Sequence, residues 1–135
     1  MIEALRYPRR RWRHILSIPF IWGMLVPLVF ADLCIEAYHR ICFPLYGLPY
    51  VPRRRYIRIW DRARLRYLAF PERIFCAYCG YTNGWLHYAA VIAAETETYW
   101  CGIQHRVDGT YEPASHEQRF LPYGDEVALR DHLSR

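Results

Sequence analysis

The sequence predicts a mainly α-helical chain, in which a kinked N-terminal membrane helix precedes a small zinc-ribbon-like α+β domain. Three observations carry this expectation. Residues 15–31 run without a charge, and extending the run to Cys34 admits only Asp32. Charge is divided: residues 1–74 hold 14 Arg against five acids, and residues 75–135 hold four Arg against eight. Finally, Cys76, Cys79, Cys101 and His105 form two pairs within the acidic part. The expected organisation is a membrane anchor over 1–52, a basic Arg/aromatic connector over 53–74 and a metal-binding domain over 75–135.

Composition narrows the class. With 135 residues, 53% apolar and 17% aromatic, the chain is too rich in core-forming residues to be disordered. Five Cys is an odd count, and the first residues do not read as a cleavable secretory peptide, which disfavours a disulfide-stapled secreted domain. Every basic residue is Arg, whose planar fork binds phosphate better than an ammonium does.

Twenty residues of helix rise about 30 Å, the thickness of a bilayer's hydrocarbon core. Trp12, Phe20, Trp22 and Phe30 supply aromatics of the kind found near membrane surfaces, and Arg9, Arg10, Arg11 and Arg13 precede the run. Pro19, Gly23 and Pro27 fall at intervals of four and predict a bent helix, either transmembrane or re-entrant, within 13–40. Residues 41–52 contain Pro44, Pro49, Pro52 and Gly47, and read as an extended segment in the interface. Arg lies on both flanks, so a single span must leave one basic group outside, whereas a re-entrant helix does not. At the expected membrane exit, Asp32, Glu36 and His39 share a helix face. Their functional reading is an intramembrane polar site; their plainer reading is ion pairing with Arg40 or another Arg.

In the connector, Tyr56, Arg58 and Trp60 alternate with Ile57 and Ile59, the period of a short strand. Arg53, Arg54, Arg55 and Arg58 lie close to the expected membrane. Position makes anionic lipid a simpler ligand for them than nucleic acid.

Cys76-Ala-Tyr-Cys79-Gly80 has zinc-knuckle spacing, and Cys101-Gly-Ile-Gln-His105 has finger-like spacing. Together they predict a closed Cys3His tetrahedron holding structural zinc, with iron as the alternative. Asn83 is the expected cap of a helix over about 85–98, whose apolar face includes Trp85, Tyr88, Ala89, Ile92 and Tyr99. That helix must fold back for Cys101 to meet Cys79. In the tail, Ser115 is placed to cap a short helix over 116–120, and Asp125 a last helix over 126–133. There is no phosphate-cradling Gly loop, nucleophile elbow or His-Glu-x-x-His pattern.

The strings Ile35-Glu-Ala-Tyr-His-Arg-Ile-Cys-Phe-Pro-Leu-Tyr-Gly-Leu-Pro-Tyr-Val51, Tyr78-Cys-Gly-Tyr-Thr-Asn-Gly84 and Tyr99-Trp-Cys-Gly-Ile-Gln-His105 resemble those of a family of small bacterial membrane proteins with a Cys-x-x-Cys-Gly-Tyr and Trp-Cys-Gly-Ile-x-His pattern. The resemblance covers about residues 7–126. It implies a bacterial source and membrane association, and brings no activity with it.

The functional expectation is therefore a non-catalytic accessory protein of the bacterial inner membrane. It would dock on, or help assemble, a larger membrane complex, with its metal domain in the cytoplasm. The rivals are a rubredoxin-like iron electron carrier serving a membrane oxidoreductase, and a monotopic enzyme using Asp32, Glu36 and His39 on a lipid-linked substrate.

Overall fold

A computed structural model describes residues 11–134. Its elements are α1 (Arg11–Gly23), α2 (Leu25–Tyr46), a 3-10 turn (Arg53–Arg55), the single-turn α3 (Trp60–Ala63), α4 (Phe70–Trp100), a second 3-10 turn (Ser115–Arg119) and α5 (Glu126–Leu133). Among the described residues there is no strand; one isolated parallel bridge joins Ile103 and Leu121. The fold is thus helical, and the expected zinc-ribbon-like α+β domain is not formed. The chain divides into two compact units, one through Ala90 and one from Val91 onward.

In the first unit, the uncharged run becomes α1 and α2. Residues 12–46 form a helical stretch of 35 residues whose most apolar 18-residue window has a mean hydropathy of 2.1, long and apolar enough to cross a membrane. The helix breaks at Met24, as the Pro and Gly spacing predicts. The break is mild: the Met24 N–H still bonds the Phe20 carbonyl at 3.2 Å, and the Leu28 N–H bonds the Met24 carbonyl at 3.3 Å. Pro27 sits in the first turn of α2, where a missing N–H removes no intrahelical bond. The Ile21 carbonyl, in the last turn of α1, accepts the Tyr78 hydroxyl of α4 at 2.8 Å. Trp22 packs beside Tyr78 and Phe75, with ring centroids 5.3 and 6.2 Å away.

The expected extended segment over 41–52 is extended only in its second half. Helix α2 runs through Pro44 to Tyr46. A single Pro this close to the end deletes one bond in a helix already held on its inner side. Gly47, at φ 70°, then ends the helix: its N–H bonds the Pro44 carbonyl at 3.2 Å, and the Leu48 N–H bonds Phe43 at 2.9 Å.

The alternation over 56–60 does not make a strand, because among the described residues there is no second strand to pair with it. The backbone of 56–59 lies instead against α4. A Cβ built on Gly80 would stand 2.6 Å from the Arg58 carbonyl oxygen, and one on Gly84 would stand 2.6 Å from that of Tyr56 and 2.8 Å from the Ile57 Cα. The two glycines, one helical turn apart, form the groove that receives this segment. Gly80 therefore serves close backbone approach, where its position after Cys79 suggests a metal-knuckle turn.

Helix α4 is continuous over 31 residues. At its start the Glu72 carboxylate accepts the Ala69 N–H at 2.8 Å. The expected helix over 85–98 is its second half. Asn83 lies inside the helix rather than capping it, and its side-chain amide donates to the Cys79 carbonyl at 3.0 Å. The core of the first unit gathers Phe43, Val51, Ala63, Trp85 and Tyr88.

The second unit buries Ile92, Phe120 and Glu117. Past α4, the Leu121 N–H bonds the Gly102 carbonyl and the Gln104 N–H bonds the Leu121 carbonyl, both at 2.8 Å. Helix α5 spans 126–133 as expected, and the Asp125 carboxylate accepts the Ala128 N–H at 2.9 Å. The 3-10 turn at 115–119 starts one residue earlier than the expected helix. Its cap is Ala114 rather than Ser115, and Glu117 reaches back to its start by accepting the Ala114 N–H at 3.1 Å.

Candidate functional site

The four expected metal ligands are not brought together. Among the described residues no three or more His, Cys, Asp or Glu side chains are placed to hold a metal ion. The reason is local: residues 80–100, expected to fold back, continue as helix for about six turns. Cys76 and Cys79 sit one turn apart on α4, Cys79 exposed; Cys101 is exposed just beyond the end of α4. The His105 ring is held 3.1 Å from the Glu117 carboxylate. This donor set fits neither a tetrahedral zinc nor a rubredoxin-like iron.

A different set of groups does converge, in the first unit. Asp32, Glu36 and His39 lie on one face of α2, as their spacing predicts. Arg53, at the 3-10 turn, reaches across to them. Its two terminal nitrogens meet both Asp32 oxygens at 2.5 Å, a bidentate fork, and Nη1 lies 3.5 Å from the Glu36 carboxylate. The Tyr81 hydroxyl of α4 donates to Asp32 at 2.7 Å. On its outer side, Glu36 accepts the Arg40 Nε–H at 2.7 Å, the neighbouring pair the sequence suggests.

His39 is fully buried. The Val51 N–H donates to its Nε2 at 3.1 Å, so Nε2 is the acceptor and Nδ1 carries the proton. Nδ1 lies 3.0 Å from the Tyr88 oxygen, and the Tyr88 hydroxyl lies 3.1 Å from Glu36. The proton order is then His39 to Tyr88 to Glu36. The Tyr50 ring stacks on the imidazole at 4.5 Å, and the Phe43 ring meets it edge-on at the same distance. The Arg53 guanidinium stands 5.5 Å from the centre of the Tyr88 ring.

The network shifts the groups that α4 and the 3-10 turn contribute. Asp32 first, against the opposing effect of burial, holds Arg53 above the usual guanidinium value, so it stays charged. Burial, then the bond to Asp32, pushes Tyr81 up to about 12. Burial, then Glu36, pushes Tyr88 higher still. Both phenols remain protonated donors. Both nitrogens of His39, the Tyr88 hydroxyl, both Asp32 oxygens and both Glu36 oxygens are engaged inside the chain. Such an arrangement fastens α2 to α4 and the connector; it offers no open acid or base to a substrate.

The second unit holds a smaller polar centre. The Glu117 carboxylate, almost wholly buried, accepts the Tyr111 hydroxyl at 2.5 Å and the Ala114 N–H at 3.1 Å, with His105 Nδ1 also at 3.1 Å. The Tyr111 hydroxyl first, then the Ala114 N–H and His105, hold Glu117 down to about 2 against the effect of burial. Tyr111 is pushed up to about 12, chiefly by the same bond. His116 lies 2.7 Å from Glu97.

Of the expected headgroup-binding residues, Arg9 and Arg10 lie outside the described residues, and so does the side chain of Arg11. Arg13 is exposed, 5.3 Å from the Trp12 ring. Arg53 turns inward to Asp32, while Arg54, Arg55 and Arg58 are exposed. Sequence reasoning missed Tyr81 as a partner and treated Tyr88 as apolar face alone; Tyr111 and Glu117 carried no signal. Compared with family models, curated proteins and solved structures, the chain matches none.

Proposed function

We propose that this chain is a membrane-anchored, non-catalytic accessory protein of the bacterial inner membrane that docks on, or helps assemble, a larger membrane complex. One observation carries the reading: α1 and α2 are apolar outside and polar inside. Only 6% of the most apolar window of 12–46 is buried by the rest of the chain. Phe20 is 79% exposed, Val26 75% and Phe30 69%, while Asp32 is 7% exposed and His39 is fully covered. In water this distribution is reversed from the usual one. In lipid it is the favourable one, because tails solvate the apolar face and ionisable groups must turn inward and pair.

The saturated Asp32–Arg53–Glu36–Tyr88–His39 network supports a structural rather than a catalytic role. A helix of 35 residues rises about 52 Å, well beyond one hydrocarbon thickness. The surplus is consistent with Asp32, Glu36 and His39 lying towards one end of the span, still turned inward against α4 and the connector. The excess of Arg after the apolar run supports a cytoplasmic side for the connector.

The test is extraction and native sizing. Membranes from cells expressing the tagged full chain are washed with alkaline carbonate, then solubilised in mild detergent. The reading expects the protein to resist the wash and to migrate with fixed stoichiometry in a larger assembly. Release by carbonate removes the anchor; a lone monomer with enzymatic turnover removes the accessory role.

A further inference from the structure

We infer that residues 54–70 form a binding surface for the phosphate groups of anionic phospholipids, distinct from the apolar helix that anchors the chain. Arg54, Arg55, Arg58, Arg62, Arg64 and Arg66 are all exposed. Among the described residues none of the six enters an ion pair, in contrast to Arg53 and Arg40 beside them. One acid, Asp61, lies within the stretch, and its carboxylate is turned onto the Arg62 backbone N–H at 2.7 Å. Trp60, Tyr67 and Phe70 are exposed between and after the arginines. Rings with an apolar body and a polar edge favour the headgroup layer.

The surface is also held in place. Arg53 is locked on Asp32 at one end, and the backbone of 56–59 is seated on Gly80 and Gly84. The arginines are thus presented from a fixed main chain, and their forks match phosphate oxygens. A strongly basic patch, six arginines against one aspartate, following an apolar helix is complementary to an anionic leaflet. Continuity with that helix favours lipid over nucleic acid, which the same Arg and aromatic residues would otherwise suit.

This inference rests on the membrane-anchored reading, and the test separates the two. The purified full chain, exchanged out of detergent, is offered to floating vesicles of pure phosphatidylcholine and of phosphatidylcholine with 30% phosphatidylglycerol, across a salt series. Anchoring predicts flotation with both. The Arg surface predicts a partition coefficient at least about tenfold higher on the anionic vesicles at low salt, falling as salt rises, since each basic residue near the surface is worth about fivefold. A variant with all six arginines changed to Gln should keep its partition to neutral vesicles and lose the anionic increment. R62Q/R64Q/R66Q should lose an intermediate part of it, which guards against misfolding of the sixfold variant. Equal partition to both vesicles overturns the inference and leaves the anchor standing. Failure to float on either overturns the anchor as well. Salt-sensitive binding of a labelled oligonucleotide with no gain from phosphatidylglycerol would also overturn it, in favour of nucleic acid.

Discussion

The two units close on the same device in opposite surroundings. In the first, a buried carboxylate, Asp32, is saturated by a phenol, Tyr81, and a cationic fork, Arg53. In the second, Glu117 is saturated by Tyr111, by the Ala114 N–H and by the His105 ring. The first centre underlies a helix whose outer face is apolar; the second lies under a tail whose exposed residues include Arg106, Glu112 and Arg119. The contrast teaches that a satisfied carboxylate can organise packing wherever the rest of the core is thin. In the first unit it supplements an inward face of α2 whose buried residues are Asp32, His39 and Phe43; in the tail it joins a loop and a 3-10 turn too short to bury much surface.

The largest effect that would break this comparison is at Arg53. Arg53→Ala leaves the buried Asp32 with the Tyr81 hydroxyl but no cationic partner. It should lower stability by about 3–5 kcal/mol, because removing one partner strands the charge of the other. Thermal unfolding in detergent measures it, and a change under 1 kcal/mol would mean the fork is ornamental. Arg53→Lys should restore part of the loss, since the charge returns without the fork.

Next in size is Gly84→Ala. Helix propensity alone favours Ala by about 1 kcal/mol, but the added Cβ would stand 2.6 Å from the Tyr56 carbonyl oxygen. The backbone contact should win, with a net loss of about 1–3 kcal/mol. A stabilised variant would show that the connector does not sit on α4.

The second centre should respond to acid. Glu117 is held down to about 2 from an ordinary value of 4.5. A depressed carboxylate stabilises the fold above its unfolded value, and that contribution is lost as pH falls from about 4.5 towards 2. NMR chemical shifts of the His105 and Tyr111 rings, followed over that window, should report the loosening of the tail. Glu117→Gln should abolish the transition. A tail that titrates unchanged in the variant would move the acid sensitivity elsewhere.

The smallest effect is at the cysteines. Cys79→Ser, at an exposed position, should change stability by less than about 0.5 kcal/mol, as at a surface site without special contacts. Elemental analysis of the purified protein should find no stoichiometric zinc or iron. One equivalent of either, lost in Cys76→Ser, would reinstate a metal-centred unit and end the comparison in its present form.

Much of the local structure was legible beforehand. The break in the apolar run, the helix over 85–98, the cap at Asp125 and the shared face of Asp32, Glu36 and His39 all follow from spacing within about one or two turns. The first half of α4 was not legible. Gly80, Thr82, Asn83 and Gly84 are weak helix formers, and together with Cys76 and Cys79 they imitate a metal knuckle. The helix runs through them because the connector backbone fills the groove the glycines leave. The same docking explains why the alternation over 56–60 formed no strand.

By itself, then, the amino-acid order determined the apolar helix, its bend, the basic flank behind it and the Asp125 cap, since each depends on neighbours a few residues apart. Tertiary structure alone decided that Arg53 would meet Asp32 across 21 positions, that Tyr88 would bridge Glu36 and His39 across 52 and 49, and that Cys79 would stay far along the chain path from Cys101. The physical reason is that these partners are chosen by packing and by the need to satisfy buried polar groups, and neither leaves a period in the sequence.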